Sequence, residues 1–269
     1  MKKLLTVVLV FSLCSGCSKV TNEKINLTSD HKKYELKEFI ISSDPNEFER
    51  FSCRNINTYD YSKPVPESEY ADESYVKDTF IGGDSRVGSL AIFTDLKDRG
   101  ASIYYVTSLS IWRIYDMKVD GGKKALYDFM MDTDKKNIYL FVGLNEIQGA
   151  DYDVWKTALN DYVLELKDAH PDSYIYLIMN YTPRKLNNLS TKQIINSING
   201  ENDKIKEVAQ ENRVFFINPD EALAAKDGLA KKDYVSDGVH LQPKASGIFE
   251  DYIMTHTFKE EDYVSQVCE

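Results

Sequence analysis

The chain has 269 residues, of which 42% are hydrophobic and 28% charged. That is room for one sizeable α/β domain with an export signal and a short extension, and it excludes global disorder. A formal net charge of -10, with no local Lys/Arg cluster to offset it, excludes nucleic acid as an expected partner because phosphate backbones would be repelled.

Met1-Lys2-Lys3 is a basic start, followed by an apolar run from Leu4 to Leu13. The run is too short to span a bilayer, which needs roughly 20 apolar residues. It ends in Cys14-Ser15-Gly16-Cys17, which resembles a bacterial lipoprotein signal with Cys17 as the lipidated residue and membrane anchor. Such signals usually carry Leu where Cys14 stands, and an ordinary secretory signal or an uncleaved anchor is the alternative. Residues 1–16 are thus expected to be a signal peptide, and 17–37, polar and without apolar periodicity, a tether. Residues 38–76, including the turn-rich Tyr61-Ser-Lys-Pro-Val-Pro-Glu-Ser stretch, read as an irregular arm. Two cysteines remain in the exported body, Cys53 before the main domain and Cys268 near the end, and outside the cytoplasm they can form a disulfide or stay separate thiols.

The main domain is expected over 77–258, with 259–269 as a tail. Candidate strands are Thr79–Gly82, Ser102–Thr107, Asn137–Gly143, Tyr174–Asn180 and Arg213–Asn218, several nearly continuous in apolar residues. Continuous hydrophobicity marks strands covered on both faces. Between them, Trp155, Ala158, Leu159, Tyr162, Val163 and Leu166 recur at helical spacing, as do Ile194, Ile195, Ile198, Ile205 and Val208. The alternation predicts a three-layer α/β/α sandwich around a mostly parallel five-stranded sheet, whose working loops follow the carboxyl ends of its strands.

Three such loops carry candidate chemistry. In Gly82-Gly83-Asp84-Ser85-Arg86, Ser85 stands where a strand gives way to a helix, so it is either a nucleophile near the positive helix end or a plain N-cap. A serine needs a base. Of the four histidines, His31 falls in the tether, while His170 and His256 fall at helix ends and read as solvated or capping residues. His240 lies in Ser236-Asp237-Gly238-Val239-His240, where a carboxylate three residues earlier can fold back and fix the imidazole tautomer; a casual turn is the alternative. Asn145, in Gly143-Leu144-Asn145-Glu146, can aim an amide N–H at an oxyanion or form an Asx-turn.

With Gly83-Asp84-Ser85-Arg86, Gly143-Leu144-Asn145-Glu146 and Asp237-Gly238-Val239-His240 in this order, the chain resembles the SGNH/GDSL-type hydrolases, and its Val65-Pro66-Glu67-Ser68 lead-in resembles that of a bacterial subgroup with a GDSR signature. The resemblance covers about residues 65 to 258 and implies a flavodoxin-like fold. It also implies Ser85 as nucleophile, His240 as proton relay, Asp237 as its orienting acid, and an oxyanion hole from Ser85, Ser108 and Asn145. Ser108 stands where the family's second block has glycine, and Glu146 where it usually has Asp.

The implied activity is hydrolysis of small acyl esters, acetyl foremost, on carbohydrate or cell-envelope glycan at a bacterial surface. Acyl transfer by the same triad is one alternative, and an inactive surface binding lipoprotein, motivated by Ser108 and Glu146, is another. Trp112, Tyr115 and Trp155 either line a sugar site or pack in the core. No metal or other cofactor is expected, since no ligand cluster has the spacing for one and Gly82-Gly83 is too short to cradle phosphate.

Overall fold

Along the strand Asn137–Phe141, Ile138 and Leu140 point to one face of the sheet and Tyr139 and Phe141 to the other, and all are buried. Period-2 geometry turns an unbroken apolar run into two hydrophobic faces, each needing a helical cover. The computed structural model describes residues 53–146 and 151–268, with side chains described over 55–146 and 151–266. The predicted signal, tether and lipidation position Cys17 lie outside the described residues.

The strands are β1 (Cys53–Asn57), β2 (Thr79–Asp84), β3 (Ser102–Val106), β4 (Asn137–Phe141), β5 (Tyr174–Ile178), β6 (Phe215–Ile217) and β7 (Val264–Cys268). The helices are α1 (Glu73–Lys77), α2 (Ser85–Phe93), α3 (Leu126–Met131), α4 (Tyr152–Ala169), α5 (Thr191–Asn212), α6 (Asp220–Leu223), α7 (Pro243–Thr255) and α8 (Glu260–Tyr263). Strands β2 to β6 form a parallel sheet of order β3-β2-β4-β5-β6. One face packs on α2, α6 and α7 through Val87, Leu90, Leu223, Phe249 and Ile253. The other packs on α3, α4 and α5 through Met130, Leu159, Val163, Ile205 and Val208. This is the expected three-layer sandwich.

The chain leaves β2 toward β3 on one side and later returns to place β4 on the other. That reversal opens a crevice beyond the carboxyl ends of β2 and β4, where open α/β sheets bind ligands.

The arm over 38–76, read as irregular, holds β1 and all but the last residue of α1, and the tail over 259–269 holds α8 and β7. Strands β1 and β7 pair antiparallel, a long-range contact that no local periodicity announces. Tyr59 anchors this unit, its ring edge-on to Phe215, Phe258 and Tyr263 at 5.1, 5.6 and 5.0 Å between centroids. The Val65 N–H donates to the Phe216 carbonyl at 2.9 Å, tying the arm to the edge of the sheet.

The β1–β7 register sets Cys53 opposite Cys268. Directly opposed residues of an antiparallel pair have Cα atoms about 4.5–5.5 Å apart, inside the range a disulfide spans. We propose that the two are bridged when the protein is exported. Peptide mapping without reduction is expected to recover one cross-linked peptide carrying both residues, and two freely alkylated thiols would refute the bridge.

Candidate active site

The turn from β2 into α2 is built around a close approach of backbones. A Cβ on Gly83 would sit 2.1 Å from the carbonyl oxygen of Phe141 on neighbouring β4, so only glycine fits there. Asp84, next in line, is the N-cap of α2: its Oδ1 accepts the backbone N–H of Arg86 at 3.0 Å. The capping reading of Ser85 is thereby set aside, because its neighbour caps the helix and leaves the serine hydroxyl free. As the first residue of α2, Ser85 also has a backbone N–H with no intrahelical acceptor.

Arg86 folds back beneath this turn. Its Nε and Nη2 donate to Asp84 Oδ1 and Oδ2 at 2.9 and 2.7 Å, and its guanidinium lies 3.8 Å from the centroid of the Phe141 ring. Both members of the ion pair are fully buried. Such a pair contributes little net stability, but removing one partner strands a buried charge.

The Ser85 hydroxyl faces His240, with Oγ 2.9 Å from Nε2. On the far side of the ring, Nδ1 lies 2.7 Å from Asp237 Oδ2. The other oxygen, Oδ1, accepts the backbone N–H groups of Val239 and His240 at 2.9 and 2.8 Å. Partial burial pushes the Asp237 pKa up, but the hydrogen bonds from the His240 ring and from the two N–H groups outweigh it and bring it down to about 2. An ionised Asp237 holds the proton on Nδ1 and leaves Nε2 free to accept one.

Several contacts hold the 236–240 loop in place. The Tyr181 hydroxyl donates to the Val239 carbonyl at 2.7 Å, and the Arg184 and Lys185 N–H groups donate to the Gly238 carbonyl at 2.8 and 3.2 Å. Gly238 has φ +93°, and a Cβ there would meet Lys185 Cβ at 2.6 Å. Val239 packs against a small apolar cluster containing Leu144 and Leu186, which binds the loops after β4 and β5 to the histidine loop.

The oxyanion candidates are also brought to this edge of the sheet. Ser108 sits in the left-handed region at φ +60°, a conformation that favours glycine. The serine thus holds a backbone shape that glycine adopts freely, with local strain as the consequence. The Asn145 amide donates to the Leu109 carbonyl at 2.7 Å, linking the loop after β4 to the loop after β3. Nδ2 carries two hydrogens, so one remains for a ligand. Glu146 reinforces the link: its Oε1 accepts the Ile111 N–H at 2.6 Å and the Trp155 indole N–H at 3.4 Å. The longer acid therefore reaches across to the neighbouring loop and is buried there.

Of the other histidines, His170 caps α4 and its Nε2 lies 2.7 Å from the Met130 carbonyl, while His256 caps α7 and stacks on Tyr252. Both have the structural role expected of them; His31 lies outside the described residues. Trp155 is fully buried, whereas Trp112 and Tyr115 are each 44% exposed, so the three aromatics divide between core and surface. Motif reading gave no role to Arg86 and did not single out Tyr181, Asn180 or Glu201, the residues that support the site from behind.

Solved structures share this architecture. A GDSL-like lipase from Bacteroides thetaiotaomicron is similar with a TM-score of 0.53 at 14% identity, over 67% of this chain and 87% of that one. A putative acylhydrolase from Bacteroides fragilis matches with a TM-score of 0.51 at 15% identity, over 70% and 88%. An acetyl xylan esterase matches with a TM-score of 0.50 at 16% identity, over 67% and 100%. No family model and no curated protein matches the sequence. The chain has the fold of the GDSL-like hydrolases.

Two outcomes follow from the strained and buried residues. Ser108→Gly relieves about 1 kcal/mol of left-handed strain and returns about 0.5–1 kcal/mol of unfolded-chain entropy, so urea denaturation should shift by less than about 1 kcal/mol; Ser108→Val should lose about 1–2 kcal/mol. Arg86→Leu is expected to cost about 3–5 kcal/mol in the same measurement, because it leaves Asp84 buried without its cation.

Proposed function

We propose that the chain is a serine esterase of SGNH type, hydrolysing small acyl esters, acetyl foremost, on carbohydrate or cell-envelope glycan while held to a bacterial membrane by lipid at Cys17. The observation that carries the esterase reading is the unbroken relay Ser85–His240–Asp237, at 2.9 and 2.7 Å. In this reading His240 Nε2 takes the Ser85 proton as Oγ attacks the acyl carbon, and the imidazolium formed is stabilised by the ionised Asp237. The backbone N–H groups of Ser85 and Ser108 and the second N–H of Asn145 receive the oxyanion. His240 then gives its proton to the departing alcohol, and water repeats the sequence in reverse on the acyl-enzyme.

The substrate class is supported by the openness of the site. The side chains of His240 and Asp237 are 42% and 55% exposed, which suits an ester projecting from a bulky, hydrated alcohol. A buried acyl chain would call for an enclosed apolar tunnel. Trp112 follows the loop of Ser108 and presents an exposed ring on which a sugar can stack. One structural neighbour is an acetyl xylan esterase. Free access of water favours hydrolysis over transfer. The anchor rests on the amino-terminal sequence pattern, and the polar 17–37 stretch would hold the domain off the membrane.

Purified protein assayed on 4-nitrophenyl acetate and on acetylated xylan provides the test. Ser85→Ala and His240→Ala are expected to lower kcat/KM by about 10⁴-fold or more, Asp237→Asn by about 10³–10⁴-fold and Asn145→Ala by about 10²–10³-fold. Equal rates for Ser85→Ala and the unaltered protein would remove Ser85 from the chemistry. Labelled palmitate should enter the protein in cells and fail to enter Cys17→Ala.

A further inference from the structure

Directly behind the turn that carries Asn145 lies a group of polar side chains that the proton relay does not use. Glu146, from this turn, and Glu201, from α5, are both buried, as is Asn180 just after β5. Glu201 Oε2 accepts the Asn180 amide at 3.1 Å. A Cβ on Gly143 would fall 2.8 Å from Asn180 Nδ2 and 3.1 Å from both Glu201 Oε2 and Trp155 Cζ2, so the turn is seated against Glu201 with nothing between. Glu146 approaches the same indole from its N–H edge. Both carboxyl groups thus lie beneath the same turn.

Charge counting decides their state. Around Glu201 stand Glu146 from the turn, Asp84 and Arg86 from the junction of β2 and α2, and the uncharged Asn180 from the loop after β5. One guanidinium therefore serves three carboxyl groups, and Asp84 takes its fork through two hydrogen bonds. Arg86 Nη1, Glu146 Oε2, Asn180 Oδ1 and Glu201 Oε1 are buried with no hydrogen-bond partner among the described residues. Two further buried carboxylates without a cation would cost far more than keeping their protons. Burial, joined by repulsion from Glu146, accordingly raises the Glu201 pKa to about 9. Burial raises that of Glu146 to about 7, with the Ile111 N–H acting the other way.

We propose that Glu201 is a positioning residue for the Gly143–Glu146 turn: its buried carboxylic acid, bonded to Asn180 and seated against Gly143, holds the turn while protonated and unseats it when that proton is lost. A new charge there would compete with Asp84 for Arg86 and draw water beneath the turn, displacing Asn145 and the Ile111 link together. Displacements of about 1 Å are enough to slow chemistry about 10²-fold. The effect on rate rests on the esterase reading; the protonated state of Glu201 does not.

Two measurements separate these. The first is kcat against pH on 4-nitrophenyl acetate. The unaltered protein should lose rate by up to about tenfold per pH unit on its alkaline side. In Glu201→Gln, which keeps an acceptor for Asn180 but cannot ionise, the ratio of kcat at about pH 9.5 to kcat at about pH 7 should rise about fourfold. The second uses no activity: the thermal midpoint of the Ser85→Ala protein with and without Glu201→Gln. A carboxyl whose folded pKa is raised contributes stability fully present below its unfolded pKa of about 4.5 and lost as pH rises through about 9. The midpoint of the protein retaining Glu201, measured relative to that of the Glu201→Gln variant, should therefore fall by several degrees between about pH 5 and about pH 9.5.

A midpoint difference independent of pH, or superimposable kcat profiles in two active proteins, would overturn the proposal. Should no ester be cleaved at all, the esterase reading fails and the midpoint series still decides the state of Glu201. If Glu201→Gln does not fold, infrared difference spectra of the unaltered protein decide instead. A carboxylic-acid C=O band that persists at about pH 8, shifts in D2O and vanishes above about pH 9 supports the protonated Glu201, and its absence overturns it.

Discussion

The Asp84 carboxylate joins two tasks that would otherwise conflict. It caps α2 through Oδ1 and, with both oxygens, holds the fork of a wholly buried Arg86. Because the cap is supplied by Asp84, Ser85 enters the helix with its hydroxyl unspent and its N–H without an intrahelical acceptor. Because Arg86 is held inward, a cation sits under the loops after β2 and β4 without facing solvent. The position of Ser85, the packing of Phe141 and the charge balance behind the Gly143–Glu146 turn all depend on this one pair.

Around it, each loop is held by a different kind of force. Steric exclusion sets the first, since Gly83 leaves no room for a side chain against β4. Hydrogen bonds from Tyr181, Arg184 and Lys185 set the histidine loop. Buried polar contacts set the turn of Asn145, which reaches to Leu109 and Ile111 on the neighbouring loop through its own amide and through Glu146. The relay needs all of them at once, because a serine and an imidazole 155 positions apart in sequence must meet at hydrogen-bond distance. Rigid strands provide the frame, and the open crevice at the sheet's reversal provides the space.

Much of this could be read from residues in order. Unbroken apolar runs identified the strands, and three- and four-residue spacing identified α4 and α5, because burial on two faces or on one stripe leaves a periodic trace. Asp237 and His240 were legible as a pair since three residues and a glycine suffice to fold one onto the other. Ser85 and Asn145 were legible as ends of strands. The β1–β7 pairing was not, because its strands lie far apart in the chain and no local periodicity records a pairing made across that distance. Glu201 was hidden for a related reason: on an amphipathic helix one carboxylate reads as solvated until the neighbours that bury it are known.

What the sequence determined by itself was the kind of fold, the order of its elements and the residue types available at each loop, since these follow from local periodicity and turn chemistry. Only the tertiary structure decided which of two readings each residue took. It made Asp84 the cap in place of Ser85, kept Ser108 in a glycine's conformation, put Trp155 in the core and Trp112 at the surface, and left two acids without a cation. Burial, charge compensation and distance belong to residues far apart in the chain, and they acquire values only when the elements are packed together.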